Sequence, residues 1–381
     1  MAEDSTAQKA CFQSALILGG GGARAAYQVG VLKAVSEMLP DHCANPFPIV
    51  CGTSAGSINT AALASNADNF KVGVEKILQV WGNFELHHVF YADGRNLFKR
   101  ILQWAWTQLG PGKTDSGPSS LLDNQPLREL LSSYINFEKI KKSIKTGHLK
   151  AYCITACSYN SGESTTFFDG QDDIKNWRRT HREGIREDIH LDHLMASSAI
   201  PVIFPSVEIN SEHFGDGSMR QTSPISPALH LGAEKILIIG LRMEDEDIEK
   251  KPPRKRPALG EISGYVLDTL FLNSINSDIE RMERMNRTLQ DGNHNNEENL
   301  KIIEHLVINP SQDIADIAMR HYSDLPKSFR TALKFLGMSK GNSRRFISYL
   351  MFTSKFCQEL IELGYQDGMR NSEQLEKFLT S

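Results

Sequence analysis

The 381-residue chain lacks several features that assign many sequences to a class directly. Its six cysteines are scattered, and none shows the paired spacing of a metal site. No run reaches the roughly 18 apolar residues of a membrane-spanning helix, and the first residues lack the basic and apolar regions of a secretory signal. The formal net charge is only −4, so no overall field favours nucleic acid. These absences predict a cytoplasmic protein with reduced thiols and without a metal ion or nucleic-acid partner.

Two strand–loop–helix units open the chain. Residues 14–18 are an apolar strand, four glycines follow, and residues 25–35 carry apolar side chains at helical spacing. A second apolar strand at 48–51 leads through a Gly/Ser turn into a helix at 58–64. Successive units of this kind predict an α/β fold with a parallel sheet covered by helices. The apolar and charged contents, 40% and 23%, are those of an ordinary globular protein.

The turn after the second strand contains the candidate nucleophile, Ser54, within Gly52-Thr53-Ser54-Ala55-Gly56. A serine with a glycine two residues before and two residues after it, between a strand and a helix, sits on a sharp turn that exposes its hydroxyl above the sheet. The following helix directs its N-terminal amides and the positive end of its dipole toward any anion formed there. The alternative interpretation is a plain Gly/Ser turn.

The glycine loop Gly20-Gly21-Gly22 is the candidate oxyanion site. It joins the first strand to its helix, so its amides can face a phosphate or a developing oxyanion. Side chains at these positions would keep a carbonyl oxygen away from the amides, and each such donor is typically worth about 10²–10³ in rate. Arg24 follows the loop, and its planar guanidinium suits a phosphate or carboxylate beside it.

The pattern leaves two kinds of base open for Ser54. Asp-Gly occurs five times, and such pairs are usually turns. Asp216-Gly217 differs from the others because it follows a strand-rich segment and precedes a buried strand predicted at 235–240, so it can return to the sheet edge near Ser54. A histidine could instead complete a Ser-His-Asp triad. The candidates are His230, His294, His305 and His321.

Periodicity predicts the remaining elements. Helices are expected over 71–110, 125–134, 191–200 and 262–282 and from 329 onward, and strands over 150–157, 164–169, 235–240 and 300–308. The helix at 262–282 is expected to present one apolar face, with Ile262, Val266, Leu270, Ile275, Ile279 and Met282.

Two segments predict peripheral membrane contact at the inner membrane surface. Residues 97–109 are apolar and aromatic, and they form either a core-covering helix or an interfacial helix that inserts Trp104 and Trp106 into lipid. A charged, proline-containing stretch is predicted as a surface linker, whose cations either stay solvated or attract anionic headgroups. These cations are Lys250, Lys251, Arg254, Lys255 and Arg256.

Three motifs together resemble the patatin-like phospholipase family, over about residues 14–240. They are Gly20-Gly21-Gly22-Ala23-Arg24, Gly52-Thr53-Ser54-Ala55-Gly56 and Asp216-Gly217, the last preceded by Ala196-Ser197-Ser198-Ala199-Ile200-Pro201. Two small departures are Ala25, where the family has glycine, and Ser218, where it has glycine or alanine. Both departures leave the serine and the aspartate in place.

The resemblance implies a three-layer α/β/α fold with a mostly parallel sheet and a Ser-Asp dyad without histidine. Ser54 would be the nucleophile, Asp216 the base and Gly20–Gly22 the oxyanion loop, supported by the motif glycines Gly52, Gly56 and Gly217. The implied substrates are fatty-acyl esters of phospholipids, lysophospholipids or neutral glycerolipids, and no cofactor is predicted. The expected domains are an acyl hydrolase domain at 14–240, a charged linker at 241–260 and a mainly helical region at 261–381 that could add a strand to the sheet.

Other functions fit parts of the pattern. A dinucleotide-binding enzyme would use Gly20-x-Gly22-x-x-Ala25, but its second strand should end in an acidic residue, and this strand ends in Gly52-Thr53-Ser54. A non-catalytic patatin-like protein that binds lipid or a protein partner would keep the fold without using Ser54. A Ser-His-Asp carboxylesterase would use one of the four histidines.

Overall fold

A mixed sheet forms the centre of the protein. The computed structural model describes residues 13–91, 99–100, 102–104, 106, 120–243, 256–291, 300–338, 340–341 and 343–380. Within these residues the strands are β1 (Ser14–Leu18), β2 (Ile49–Thr53), β3 (Ala151–Ser158), β4 (Ser164–Gly170), β5 (Trp177–Arg179), β6 (Arg182–Arg186), β7 (Val207–Ile209), β8 (Glu212–Asp216), β9 (Lys235–Ile239) and β10 (Glu304–Ile308). Their order is β10-β9-β1-β2-β3-β4-β6-β5, with β8 pairing with both β3 and β7.

The strands that carry the predicted motifs run parallel. β10, β9, β1, β2 and β3 pair in parallel, and β1, β2 and β9 are buried on both faces along nearly their whole length. Such strands read as continuous apolar runs, which is why the sequence predicts them well. Because parallel strands end at one edge of the sheet, the glycine loop after β1 and Ser54 after β2 lie side by side.

Strand β3 joins the parallel half of the sheet to the antiparallel half. Its first five residues, Ala151–Thr155, pair in parallel with β2. Its last three residues pair antiparallel with β8, so that Ala156 lies opposite Asp216. Pairing at the end of β3 therefore brings Asp216, the last residue of β8, to the carboxyl edge of the sheet.

Helices cover both faces of the sheet. They are α1 (Ala26–Met38), α2 (Ala55–Ala64), α3 (Phe70–Gly82), α4 (Gln125–Tyr134), α5 (Phe137–Lys145), α6 (Leu191–Ser197), α7 (Ser226–His230), α8 (Leu259–Gln290), α9 (Ile314–Arg320), α10 (Lys327–Phe335), α11 (Arg344–Leu350), α12 (Ser354–Arg370) and α13 (Ser372–Thr380). One core packs α1, α2 and α12 against Leu16 and Val50, and the other packs α7 against Ile17 and Ile49. The predicted three-layer α/β/α class with a mostly parallel sheet is confirmed.

The long helix α8 runs from one core to the other. Leu267 and Phe271 in its first half belong to the first core, whereas Ile279 and Met282 in its second half belong to the second. The predicted apolar face is therefore partly wrong: Ile262, which is 48% exposed, faces solvent. A helix that changes partners along its length cannot keep one buried face.

Two further predictions need correction. The helix expected over 71–110 ends at Gly82, where Asn83 caps it, and a separate 3₁₀ turn follows at Leu86–His88. Helix α5, which the sequence analysis did not assign, has three buried residues in a lysine-rich segment. Its polar residues outnumber its apolar ones, so the helical periodicity is carried by very few positions.

The remaining expectations concern the cysteines and the membrane. Every cysteine in the described ranges is a free thiol, and burial raises the pKa of Cys153. Among the helices that the structure describes, none has both the length and the apolar character needed to cross a bilayer. Residues 244–255, which hold most of the predicted linker, lie outside the described residues.

Candidate active site

Ser54 occupies a strained turn between β2 and α2. Its backbone has φ 54° and ψ −130°, a left-handed conformation that is uncommon for any residue except glycine. The flanking glycines allow the turn, because a Cβ at Gly52 would collide with the backbone of Ser57, and one at Gly56 would collide with the carbonyl oxygen of Leu18. The predicted strand–serine–helix turn is present.

The hydroxyl of Ser54 donates a hydrogen bond to Asp216. The distance from Ser54 Oγ to Asp216 Oδ2 is 2.5 Å, and both side chains are buried. The other carboxylate oxygen, Oδ1, accepts the backbone N–H of Ser218 at 2.9 Å, and the backbone N–H of Asp216 donates to the carbonyl of Ala199 at 2.9 Å. These bonds fix both the position and the orientation of the carboxylate.

Burial shifts the titration of Asp216 toward neutral pH. Removal from water disfavours the charged carboxylate and raises the pKa of Asp216 to about 7, although hydrogen bonds from Ser54 and Ser218 partly oppose the shift. A carboxylate with a pKa near 7 is a far stronger base than an exposed aspartate, and it is still ionised in a large fraction of molecules at neutral pH.

A second serine, Ser197 at the end of α6, holds the turn from the other side. Its hydroxyl accepts the backbone N–H of Ser54 at 2.9 Å and donates to the carbonyl of Thr155 at 2.7 Å. The sequence places Ser197 within a motif, but no pattern in the sequence assigns it a role. The only available signal was a polar residue in a short apolar helix, a pattern that does not say which backbone group the hydroxyl meets.

The glycine loop lies directly beside Ser54. A Cβ at Gly20 would be 2.8 Å from the Cβ of Ser54, so only glycine leaves room there. Gly22 has φ +54° and lines the same cavity as Ser54. Gln28 holds the start of the loop, because its amide donates to the carbonyl of Gly19 at 2.9 Å. The loop is thus held directly beside the side chain of Ser54.

Gln28 belongs to a buried polar chain that sequence reasoning missed. Asn59 Nδ2 donates to Gln28 Oε1 at 3.0 Å, and Trp81 Nε1 donates to Asn59 Oδ1 at 2.8 Å. Polar groups buried this deeply are stable only when they are paired. The chain links α1, α2 and α3 behind the glycine loop, and its members are too far apart in sequence to be recognised as partners.

Arg24 lies under the C-terminal helices, away from Ser54. Its guanidinium pairs with Asp268 at 3.1 Å and donates to Ser348 Oγ at 2.8 Å. It also lies 3.9 Å from the centroid of the Tyr349 ring. Its side chain is only 4% exposed, and the carboxylate beside it belongs to the chain itself.

An apolar cavity begins at Ser54. It extends along α2 and is bounded by α3, by α4 and by the segment that follows α6. Its lining is almost wholly hydrocarbon: Ala55, Ile58, Ala62, Ile77, Val80, Trp81, Phe84, Val89, Leu127, Leu130, Leu131, Tyr134, Ile200, Phe204 and Phe352, with Gly22, Asn59 and Ser198. A cavity of this kind binds the apolar part of a ligand.

The candidate histidines have other partners. His230 stacks on Trp177 with 4.8 Å between ring centroids, His305 lies 3.2 Å from Glu283, and His321 pairs with Asp324 and Glu359. His294 lies outside the described residues. Within the described ranges, no group of three or more histidine, cysteine, aspartate or glutamate side chains is arranged to hold a metal ion.

The site therefore combines three features. Ser54 lies on a strained turn between a strand and a helix, it donates to the buried Asp216, and both lie beside the glycine loop at the carboxyl edge of the sheet. These features define an α/β protein with a serine–aspartate pair. The chain matches the description "Patatin-like phospholipase" over residues 16–229. It belongs to the patatin-like phospholipase family, whose members are lipid ester hydrolases.

Individual relatives agree less extensively. The chain is 46% identical over 63 residues to lysophospholipase nte1 of Aspergillus terreus (strain NIH 2624 / FGSC A1156), a match that covers 16% of this chain and 4% of that protein. Among solved structures, VipD from Legionella pneumophila aligns over 96% of this chain and 67% of the other, with 12% identity and a TM-score of 0.31.

Proposed function

We propose that this chain is a serine lipid acyl hydrolase, which cleaves fatty-acyl esters of phospholipids, lysophospholipids or related glycerolipids through Ser54 and Asp216. The observation that carries the proposal is the 2.5 Å hydrogen bond from Ser54 Oγ to a buried carboxylate, at the end of an apolar cavity. The hydrogen bond supplies a nucleophile with its base, and the cavity supplies a place for the acyl chain.

In the first half of the reaction, Ser54 Oγ attacks the ester carbonyl carbon while its proton passes to Asp216. The carbonyl oxygen becomes an oxyanion, which the amides of Gly20–Gly22 and the N-terminal end of α2 stabilise. The C–O bond to the alcohol then breaks, and the leaving alkoxide takes the proton from Asp216. The products are an acyl-Ser54 ester and the free alcohol, for example a glycerophospho-alcohol.

In the second half, water attacks the carbonyl carbon of the acyl-serine while Asp216 accepts a proton from it. The same loop amides stabilise the second tetrahedral intermediate. Collapse of this intermediate breaks the bond to Ser54 Oγ, which recovers its proton from Asp216, and the fatty acid leaves. Asp216 therefore begins and ends each half-reaction as a carboxylate, so its pKa of about 7 suits both directions of proton transfer.

Purified full-length protein tests the proposal directly. We expect release of fatty acid from at least one of a phospholipid, a lysophospholipid and a triglyceride, and covalent labelling of Ser54 by a fluorophosphonate. Folded protein that neither hydrolyses any of these lipids nor reacts with the probe at Ser54 would instead support a non-catalytic lipid-binding or protein-binding role.

The apolar cavity should determine the preferred acyl chain length. Val80 lines it from α3 and is half-buried, so Val80→Phe would fill space that a long chain needs. We expect kcat/KM for a palmitoyl ester to fall by about 10- to 100-fold, because several methylene groups lose their apolar contacts at about 0.8 kcal/mol each. The value for an acetyl ester should stay within about 2-fold, since an acetyl group fills only the space beside Ser54.

Val72 provides a matched control on the same helix. It does not line the cavity and is 38% exposed, so Val72→Phe should leave the ratio of palmitoyl to acetyl turnover unchanged. Equal losses on both esters in Val80→Phe, or the same ratio change in Val72→Phe, would show that the acyl chain binds elsewhere.

We also propose peripheral contact with anionic membrane from the cytoplasmic side. Trp106 supports it, because this residue is 71% exposed, and Trp104, two residues earlier, is half-buried. The basic cluster Lys250–Arg256 would add about 1 kcal/mol per cation near an anionic surface.

The division into a hydrolase domain at 14–240, a linker at 241–260 and a helical region at 261–381 also stays a proposal.

Co-sedimentation with vesicles of mixed neutral and anionic lipid measures this contact. Trp106→Ala should reduce the bound fraction several-fold, and neutralising the basic cluster should reduce it further and remove its salt dependence. Val72→Ala serves as the control, because it removes an exposed apolar side chain from another helix. Binding that is unchanged in the Trp106 variant and in the neutralised cluster would exclude both segments as membrane contacts.

A further inference from the structure

Arg24, two residues after the glycine loop, is held by the C-terminal part of the chain. Arg24 Nε donates to Ser348 Oγ at 2.8 Å, Nη2 pairs with Asp268 Oδ1 at 3.1 Å, and Nη2 also donates to the carbonyl of Arg345 at 3.3 Å. The face of the guanidinium lies 3.9 Å from the centroid of the Tyr349 ring. Every one of these partners lies beyond residue 229, outside the part of the chain that matches the family.

The partners of Arg24 are themselves bound to one another. Tyr349 Oη donates to Asp268 Oδ1 at 2.8 Å, and Arg345 Nε lies 3.2 Å from Asp268 Oδ2. Asp268 belongs to α8 and the other two residues belong to α11, so the carboxylate joins both helices to Arg24. A buried guanidinium with a planar fork and several fixed acceptors has one preferred position.

Residues from the C-terminal part of the chain also pack against the glycine loop itself. Gly20 lies against Phe271 of α8, since a Cβ there would be 2.7 Å from the ring. A Cβ at Gly21 would collide with the side chain of Leu241, and one at Gly22 would collide with the carbonyl oxygen of Tyr349. Each of the three glycines therefore contacts a residue from the C-terminal part of the chain, while Gln28 holds the loop from inside.

We propose that Arg24 is a positioning residue that ties the glycine loop to α8 and α11, so that the C-terminal part of the chain holds the oxyanion amides in their reactive geometry. The inference rests on the proposed function for its catalytic consequence, but the mechanical tie depends only on contacts. It gives a role to residues 259–350, which carry none of the recognised motifs. It differs from an anion-binding role for Arg24, because a substrate anion would have to displace the carboxylate of Asp268 from a buried pair.

Hydrogen–deuterium exchange in the full chain tests the tie without any need for activity. In Asp268→Asn and Arg24→Gln, amides of residues 19–24 should exchange about tenfold faster or more, because charge-assisted bonds that restrain the loop are lost. Asp367→Asn is the matched control. Asp367 also joins the C-terminal helices to α1, accepting from Tyr27 Oη at 3.2 Å, but it does not contact the loop.

Kinetics then separates positioning from substrate binding. Asp268→Asn should lower kcat by about 10- to 100-fold with KM within about 2-fold, since poorly placed oxyanion donors act on the transition state. Asp367→Asn, assayed at a temperature where both variants are folded, should keep kcat within about 3-fold. Unchanged loop exchange in folded Asp268→Asn and Arg24→Gln would overturn the tie. A rise in KM for phospholipids alone, without faster exchange, would also overturn it in favour of headgroup binding.

The two proposals fail in different ways. If the wild-type protein hydrolyses no ester but the loop amides still exchange faster in Asp268→Asn than in Asp367→Asn, the tie stands and the proposed function is wrong. If the wild type is active and neither kcat nor loop exchange responds to Asp268→Asn, the tie is wrong and the proposed function stands.

Discussion

Ser54→Ala should lower kcat for a fatty-acyl ester by about 10⁴-fold or more, because it removes the atom that forms the covalent intermediate. The variant should also lose all labelling by a fluorophosphonate. The substitution removes one buried hydroxyl. It leaves the backbone strain at this position almost unchanged, because alanine tolerates the φ of 54° no better than serine. The folded structure should therefore survive, and substrate binding in the apolar cavity should persist.

Ser65→Ala is the control for this experiment. Ser65 is also buried at an end of α2, and its hydroxyl donates to the carbonyl of Ala61 at 2.8 Å, but it lies at the far end of the helix from Ser54. Its turnover should stay within about 3-fold of the wild type. Residual activity above about 1% in Ser54→Ala, with a wild-type KM, would mean that another group is the nucleophile.

Asp216→Asn should lower kcat by about 10²–10⁴-fold, the usual contribution of a positioned base. The amide is nearly the same shape as the carboxylate and can still accept the hydrogen bond from Ser54, but it cannot take the proton. In the wild type, kcat/KM should rise with pH through about 7 and level off above it, because the active form is the ionised carboxylate and its pKa is about 7. The variant should lose this rise.

The same substitution should stabilise the fold at alkaline pH. The folded pKa of Asp216 is about 7, against an ordinary value of 3.8, so the folded state holds its proton more tightly than the unfolded state does. The unfolded state then binds fewer protons between about pH 4 and 7, and stability falls as pH rises across that window. Above about pH 7, the buried carboxylate lowers the free energy of unfolding by up to about 4 kcal/mol. Asp216→Asn should restore this free energy at pH 8.5 but not at pH 4, as measured by urea denaturation.

Asp169→Asn is the control for the kinetic measurements. Asp169 also precedes a glycine and its pKa is raised by burial, but its nearest cation is Arg186 at 3.8 Å. It pairs with Tyr152 near the start of β3, whereas Asp216 pairs with Ala156 near the end of that strand. Its kcat and the pH dependence of its kcat should match the wild type. Near-normal turnover in Asp216→Asn, with loss of activity on changing His230, His294, His305 or His321, would indicate a Ser-His-Asp triad instead.

The parts of the site that sequence predicts are those set by local chemistry. The turn around Ser54 and the glycine loop each lie within a few residues between a strand and a helix, so spacing alone shows them. Asp216 needed a family resemblance, because its approach to Ser54 depends on the antiparallel pairing of β8 with the end of β3. No local pattern fixes a pairing between segments so distant in sequence.

Long-range polar contacts could not be predicted from the sequence. The hydrogen bond between Arg24 and Ser348 joins residues 324 positions apart, and the family pattern gives Arg24 no partner. A charged residue beside a glycine loop therefore predicts an anion site from its own chemistry alone. The structure surrounds it with Asp268 and Tyr349, residues whose segments showed only helical periodicity.

The buried face of α8 could not be predicted for a related reason. Periodicity assumes one partner along a whole helix, yet α8 changes from one core to the other between Phe271 and Ile275. The apolar spacing that includes Ile262 does not show whether another element packs against that part of the helix. Fold class was predictable because buried parallel strands are continuous apolar runs, which need no knowledge of the tertiary partner.

Trapping the acyl-enzyme tests the Ser54–Asp216 dyad most directly. Wild-type protein is mixed with a palmitoyl lysophospholipid, quenched with acid during turnover, digested and analysed by mass spectrometry. We expect a palmitoyl ester on Ser54, absent in Ser54→Ala and formed much more slowly in Asp216→Asn. Fatty-acid release with no adduct on Ser54, or with the acyl group on another residue, would contradict it.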